Sequence, residues 1–398
     1  MYMNTTPNAT RLHVAIFGRR NSGKSSLINA ITGQDTSLVS AIAGTTTDAV
    51  AKAMELHGIG ACLMIDTPGF DDEGELGAGR ISRTLKSMER ADVALLLCEE
   101  GDLEAEAEWL KALRERETPT IAIVNKIDAR SADEVAALSR LVEERLGLTP
   151  LLLSAKSGVD IEVIRGALLA SLPADFTEQS ITGDLVQRGD SVLLVMPQDK
   201  QAPKGRLILP QVQTLRELLD KGCIVSSCTT ELLEQTLAGL CEPPKLIITD
   251  SQIFKYVHER CPSQSRLTSF SVLMAGYKGD VKSFVAGAAA IDSLTARSRV
   301  LIAEACTHAP LSEDIGREKL PRMLRARVGE SLAVDIVAGR QYPADLTPYD
   351  LVIHCGACMF NRKYMMWRVD AALRQGVPIT NYGVAIAHLS GILSEVVY

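Results

Sequence analysis

The sequence predicts an α/β protein of three domains built on mostly parallel sheets. Three observations carry that reading. Continuous apolar runs of strand length alternate with amphipathic helical stretches, the pattern of a sheet covered on both faces. A polar stretch with Pro, Gly and acidic residues, SLPADFTEQSITGDLVQRGD, interrupts the alternation and reads as a linker. Turns rich in glycine or cysteine follow several strands, where open α/β sheets place ligands. The expected domains are residues 1–175, 176–264 and 265–398.

In the first domain the strand candidates are LHVAIFG, ACLMID, DVALLLC, TIAIVNK and PLLLSA. Between them lie the helical patterns SSLINAIT, LEAEAEWLKALRERE and ADEVAALSRLVEERLG. The second domain contains SVLLVMP, QVQTLRELLDKG, IVSSC, TTELLEQTLAGL, LIITD and SQIFKYVHER, a smaller α/β unit with a long loop in QDKQAPKGRLILPQ. The third offers the strands SFSVLMAG, RVLIAEA, AVDIVAG, DLVIHCG and PITNYG.

Composition narrows the function. The chain has 398 residues, 46% hydrophobic and 23% charged, with a formal net charge of −7. No basic run appears, so neither nucleic acid nor a membrane surface is an expected partner. No apolar stretch approaches the roughly 18 residues of a membrane helix, and the N-terminus lacks a signal pattern, so a cytoplasmic location is expected. Nine cysteines, an odd count scattered along the chain, argue for reduced thiols rather than a disulfide framework. Most read as core filler; Cys306, Cys355 and Cys358 do not.

GRRNSGKS, Gly18 to Ser25, fits the phosphate-loop pattern between a strand and a helix. Loop N–H groups and the helix end attract phosphate, and Lys24 reaches the outer ones. Ser25 binds magnesium. Asn21, Ser22, Gly23 and Ser26 complete the loop. DTPG supplies Asp66 for magnesium and Gly69 to sense the γ-phosphate. In NKID, Asn125, Lys126 and Asp128 face the base. The Asp128 carboxylate only accepts hydrogen bonds, and guanine offers it two donors that adenine lacks. SAK, Ser154, Ala155 and Lys156, adds a backbone contact to the base. GTTTD, with Thr45, Thr46 and Thr47, sits where a switch segment brings a threonine to the metal, making Lys24 and Thr46 the candidate catalytic pair. Together these predict a P-loop GTPase domain binding GTP or GDP with Mg2+.

The five motifs resemble the tRNA-modifying and ribosome-assembly branch of small GTPases. There the asparagine at the Asn21 position helps bind K+, which implies potassium-stimulated hydrolysis here. Thr47 replaces the arginine usual in GTTRD. Phe70 follows DTPG where many GTPases carry a water-orienting glutamine, so intrinsic hydrolysis is expected to be slow.

Cys306 and His308 follow the strand RVLIAEA, and His354, Cys355 and Cys358 follow DLVI. Both sets fall at C-terminal strand ends, and Cys358 precedes a helical stretch that favours a thiolate. Isolated core residues, a redox pair and a metal site compete; the convergence of ligand types favours the metal. Ligand softness alone leaves zinc and an iron–sulfur cluster both open.

C-x-H followed by H-C-x-x-C, behind a GTPase domain, resembles the maturation GTPase of [FeFe]-hydrogenase, the HydF family, over essentially the whole chain; QAPKGRLILPQ also looks like that family. The resemblance implies a small α/β dimerisation domain and a parallel-sheet α/β iron–sulfur domain. It implies a 4Fe-4S cluster on Cys306, Cys355 and Cys358, with His308, His354 or Asp199 as candidates for the fourth ligand. It further implies a homodimer that carries a diiron precursor from two radical-SAM maturases to the [FeFe]-hydrogenase apo-enzyme. The alternative is a regulatory or RNA-associated GTPase with a structural zinc domain.

Overall fold

A computed structural model describes residues 7–33, 40–42, 51–68, 87–99, 101–158, 160–172, 179–197, 207–305, 314–339 and 341–398. The chain forms two compact units, Met1–Glu178 and Gln179–Tyr398.

The first unit holds β1 (Leu12–Phe17), β2 (Ser40–Ile42), β3 (Ala51–Leu56), β4 (Gly60–Asp66), β5 (Val93–Cys98), β6 (Thr120–Val124) and β7 (Leu151–Leu152). They form one sheet in the order β2-β3-β4-β1-β5-β6-β7. The strands from β4 to β7 along that order are parallel, and β2 and β3 form an antiparallel edge. Successive side chains of a strand point to opposite faces. Accordingly Val14 and Ile16 of β1 join one core with Leu27, Ile31 and Ile164 from the helices Lys24–Gly33 and Ile161–Ala170. Ala15 and Phe17 join the other with Leu110, Leu113 and Val142 from the helices Glu104–Arg114 and Ala132–Leu146. Both faces are therefore covered, which is why β1 and β5 are buried at every position. Cys62 and Cys98 lie in this core, where burial pushes both thiols up to about 12.

The second unit contains two four-stranded sheets, in the orders β11-β10-β8-β9 and β13-β12-β14-β15, parallel throughout. The first comprises β8 (Ser191–Val195), β9 (Ile224–Cys228), β10 (Leu246–Thr249) and β11 (Arg266–Ser269). The second comprises β12 (Arg299–Glu304), β13 (Ala333–Ala338), β14 (Leu351–His354) and β15 (Ile379–Asn381). They share a core in which Leu193 and Ile247 of one sheet join Val300, Ile302 and Val352 of the other.

One strand expectation is corrected. SFSVLMAG is not a strand of the third block. Arg266–Ser269 pairs with β10 in the first small sheet, and Phe270–Lys278 is a helix capped by the Ser269 side chain. Phe270, Val272, Leu273, Met274 and Ala275 are all buried, and a short run of mostly buried apolar residues does not separate helix from strand by its period.

Candidate functional site

In the first unit, Gly18 directly follows β1, Asp66 ends β4, Asn125 directly follows β6, and Ser154 lies just past β7. These strands are parallel, so all four residues stand at one sheet edge. The phosphate loop is tied to that edge by side chains. Asn125 Nδ2 donates to the Ser22 carbonyl at 3.1 Å, and its Oδ1 accepts from the Ala155 N–H at 3.0 Å. A Cβ on Gly23, whose φ is +92°, would come within 2.4 Å of that Nδ2, so only glycine fits there. Lys126 donates to the Asn21 carbonyl at 2.6 Å and to Glu99 at 2.8 Å, while Asn21 itself takes a left-handed φ of 62°. Lys24 is buried and folds back onto the carbonyls of Gly18 at 2.9 Å and Arg19 at 2.6 Å. Ser25 Oγ donates to Asp66 Oδ2 at 2.6 Å, which places two oxygen ligands of the kind magnesium takes side by side. Ser154 Oγ donates to Asp128, and Ser26, Asp128 and Lys156 are exposed. Thr45, Thr46, Thr47, Gly69 and Phe70 lie outside the described residues.

Arg19 escaped the sequence reading because the phosphate-loop pattern leaves its position open. It pairs with the fully buried Glu106 at 2.8 Å and so anchors the loop to the helix Glu104–Arg114.

In the second unit, β12 and β14 are hydrogen-bonded neighbours with Ala303 opposite His354. The chain beyond β14 turns tightly. The Cys355 N–H donates to the Ala303 carbonyl at 2.9 Å, and the Ala305 N–H points at Cys355 Sγ at 3.0 Å. The left-handed position of HCGAC is Ala357, at φ 51°, and not Gly356. Asn361 then caps the helix Arg362–Arg374 by accepting from the Tyr364 N–H. Cys355 and Cys358 are half-buried and are not joined in a disulfide. Burial pushes the Cys355 thiol up to about 12, and the neighbouring Cys358 adds to the rise. The Cys355 sulfur therefore stays protonated near neutral pH until something positive replaces its proton.

His354 is fully buried. Its Nδ1 lies 2.8 Å from the Cys355 carbonyl, and its Nε2 lies 2.8 Å from an Arg368 nitrogen. A carbonyl only accepts and a guanidinium only donates, so Nδ1 carries the proton and Nε2 accepts. Both ring nitrogens are thus engaged within the protein. Burial, followed by the Arg368 charge, lowers the His354 pKa to about 3.

Cys306, His308 and Asp199 lie outside the described residues. Among the described residues no group of three or more His, Cys, Asp or Glu is arranged to hold a metal. The donors around the end of β14 still fit an anionic sulfur centre. A backbone N–H already points at Cys355 Sγ, the buried Tyr382 hydroxyl has no partner among the described residues, and the Arg368 cation is buried close by. No helix among the described residues is long and apolar enough to cross a membrane.

The family model described as a 50S ribosome-binding GTPase matches residues 13–126. Models described as the hydrogen maturase F dimerization and tetramerization domains match residues 181–279 and 282–398, together more than half of the chain. The chain belongs to the HydF family of hydrogenase maturation GTPases. In this HydF chain the GTPase domain is similar to that of the tRNA modification GTPase MnmE. The Burkholderia thailandensis protein is 39% identical over 160 residues, 40% of this chain and 34% of the relative. The Laribacter hongkongensis protein is 38% identical over 167 residues, 40% of this chain and 35% of the relative. The chain spans about a third of the length of these curated relatives. Similar solved structures include an Aquifex aeolicus Era variant bound to GDP and AlF4− (TM-score 0.34, 22% identity, 55% of this chain and 92% of that one). The G domain of the T. maritima FeoB iron transporter is another (TM-score 0.31, 23% identity, 40% and 98%). The two HydF-specific models describe domains of self-association.

The buried imidazole is expected to lower the stability of the second unit in acid. His354 stays neutral in the fold down to about 3, against 6.5 ordinarily, so the unfolded chain takes the proton first as pH falls. The stability held in neutral His354 is complete above 6.5 and is lost as pH drops toward 3. Urea unfolding of metal-free protein at a series of pH values below neutrality is expected to show a falling midpoint, and His354→Asn is expected to flatten that slope. Equal slopes in both proteins contradict the assignment.

Proposed function

We propose that this chain is a GTP-binding scaffold and carrier that assembles or delivers the diiron precursor of the [FeFe]-hydrogenase active site. The observation that carries the reading is the edge shared by β12 and β14. The N–H of Ala305, one peptide bond before Cys306, lies 3.0 Å from the Cys355 sulfur, and Cys358 follows three residues on. Cys306, Cys355 and Cys358 would hold a 4Fe-4S cluster. Bound there, the cluster would supply one iron whose remaining coordination place is exchangeable, as a carrier's docking point must be. His308 and Asp199 are the protein candidates for that place, since His354 is already committed at both nitrogens. The partners in this reading are the apo-hydrogenase and two radical-SAM maturases. The chain works as a homodimer or a higher assembly of itself, in the cytoplasm.

The first domain binds and slowly hydrolyses GTP. Lys24, now on the carbonyls of Gly18 and Arg19, would turn to the outer phosphates, and Ser25 with Asp66 would hold the magnesium, with Thr46 as a further ligand from the switch. Thr45, Thr47 and Gly69 would complete the γ-phosphate site. Asn125, Lys126, Asp128, Ser154, Ala155 and Lys156 form the guanine pocket. Asn21 would help hold K+.

Anaerobic reconstitution tests the cluster. About four irons per chain and a 4Fe-4S EPR signal on reduction are expected for the wild type. Serine at Cys306, Cys355 or Cys358 is expected to lower the iron content, and to abolish hydrogenase maturation on co-expression in cells lacking this protein. Stoichiometric zinc without iron would support a regulatory GTPase with a structural zinc site instead. For the nucleotide, Asp128→Asn removes a charged acceptor of two hydrogen bonds, each worth about 1.5–3 kcal/mol. It is expected to weaken guanine-nucleotide binding by roughly 100-fold or more, while xanthine nucleotides, with a carbonyl in place of the amino group, gain. Calorimetric titration with GDP and XDP reads this, and unchanged GDP affinity contradicts the pocket. Turnover is expected to be faster in potassium than in sodium; equal rates remove the ion from the scheme.

A further inference from the structure

Arg368 is a charged side chain at this edge that burial makes expensive. It is fully buried on the helix Arg362–Arg374. Its guanidinium donates to His354 Nε2 at 2.8 Å, to the Gly339 carbonyl, and to the Tyr364 hydroxyl at 3.3 Å. The rings of Tyr342, Phe360 and Tyr364 stand 4.7, 4.6 and 4.8 Å from it. No carboxylate among the described residues pairs with it, and its Nε has no partner. Aromatic faces and neutral acceptors soften the cost of a desolvated cation but do not cancel its charge.

The geometry connects this cation to the sulfur edge through one residue. Arg368 holds His354 Nε2, and the opposite nitrogen of the same ring donates to the carbonyl of Cys355 at 2.8 Å. A positive charge thus stands behind the cysteine whose sulfur also faces the Ala305 N–H. A cluster ligated by three thiolates is anionic, and charge and hydrogen bonds around such a centre set its reduction potential. Such a centre brings a negative charge, which Arg368 does not meet among the described residues.

We propose that Arg368 is the buried counter-charge of the sulfur centre at this edge, and that His354 positions Cys355 in front of it rather than ligating iron. The inference rests on the cluster reading given above. Arg368 acts on the centre without touching it, so it is a positioning residue. It favours the reduced, more negative cluster over the oxidised one.

The test is an EPR-monitored redox titration of anaerobically reconstituted full-length protein, comparing wild type with Arg368→Lys, Arg368→Gln and Arg368→Met. Gln keeps a donor for His354 without the charge, and Met removes both. Both neutral variants are expected to shift the reduction equilibrium at least tenfold toward the oxidised cluster, about 59 mV more negative for one electron. Arg368→Lys is expected to stay within twofold of wild type. Neutral variants with the wild-type potential overturn the inference. So does the case in which neither neutral variant folds by circular dichroism while Arg368→Lys does, because Arg368 is then a structural cation. For His354, nitrogen couplings in pulsed EPR of the reduced cluster are expected to be the same in wild type and His354→Asn; loss of a strong coupling in the variant makes His354 a ligand. A wild-type protein that takes up no iron–sulfur cluster sinks the proposed function itself, whereas a normal cluster indifferent to all three Arg368 variants sinks this inference alone.

Discussion

The parallel pairing of β12 with β14 is the constraint on which the sulfur-rich edge depends. Ala303 stands opposite His354, and this register sends the imidazole into the core while the next residue, Cys355, leaves the sheet at its C-terminal end. Side chains alternate along a strand, so a slip of one residue would exchange the two and put a thiol where the histidine belongs. The hydrogen bond from the Cys355 N–H to the Ala303 carbonyl and the approach of the Ala305 N–H to the sulfur both follow from that register. Leu351, Val352 and Ile353 are completely buried beside Val300, Leu301 and Ile302.

The same geometric rule serves two chemistries in one chain. In the first unit, strand ends present a loop of backbone N–H groups and a lysine suited to phosphate. In the second, the end of β14 presents the Cys355 sulfur, and the helix Arg362–Arg374 buries the Arg368 cation against His354. The two cations are held differently. Lys24 rests on two carbonyls of its own loop, contacts that a phosphate replaces readily. Arg368 is fixed among aromatic rings and acts from a distance through His354.

Much of the fold was legible because buried parallel strands advertise themselves as continuous apolar runs. β1, β5, β6, β12 and β14 fall where LHVAIFG, DVALLLC, TIAIVNK, RVLIAEA and DLVIHCG put them. The same rule misread SFSVLMAG, since its run of buried apolar residues hides the period that separates helix from strand. In the nucleotide site, motif spacing named the residues that the strand ends bring together. It said nothing of Arg19, whose role comes from Glu106, 87 positions away in sequence. At the sulfur edge, glycine is the usual choice for a left-handed backbone, yet Ala357 takes it. Arg368 left one overlooked signal. It interrupts an otherwise buried helical stripe of Tyr364, Met365, Val369 and Ala372, where a charge has no reason to stand without a partner. His354 was read as a ligand candidate because histidine beside cysteine suggests metal. Its place as the last fully buried residue of β14 is what turns it inward.

The central claim is that one inorganic centre draws its sulfur ligands from both strand ends. Anomalous diffraction at the iron absorption edge, on crystals of the anaerobically reconstituted protein, tests it most directly. The account predicts a single compact iron peak bonded to Cys306, Cys355 and Cys358 at the C-terminal end of β12 and β14. Iron located elsewhere, or a peak that only one of the two strand ends reaches, would contradict it.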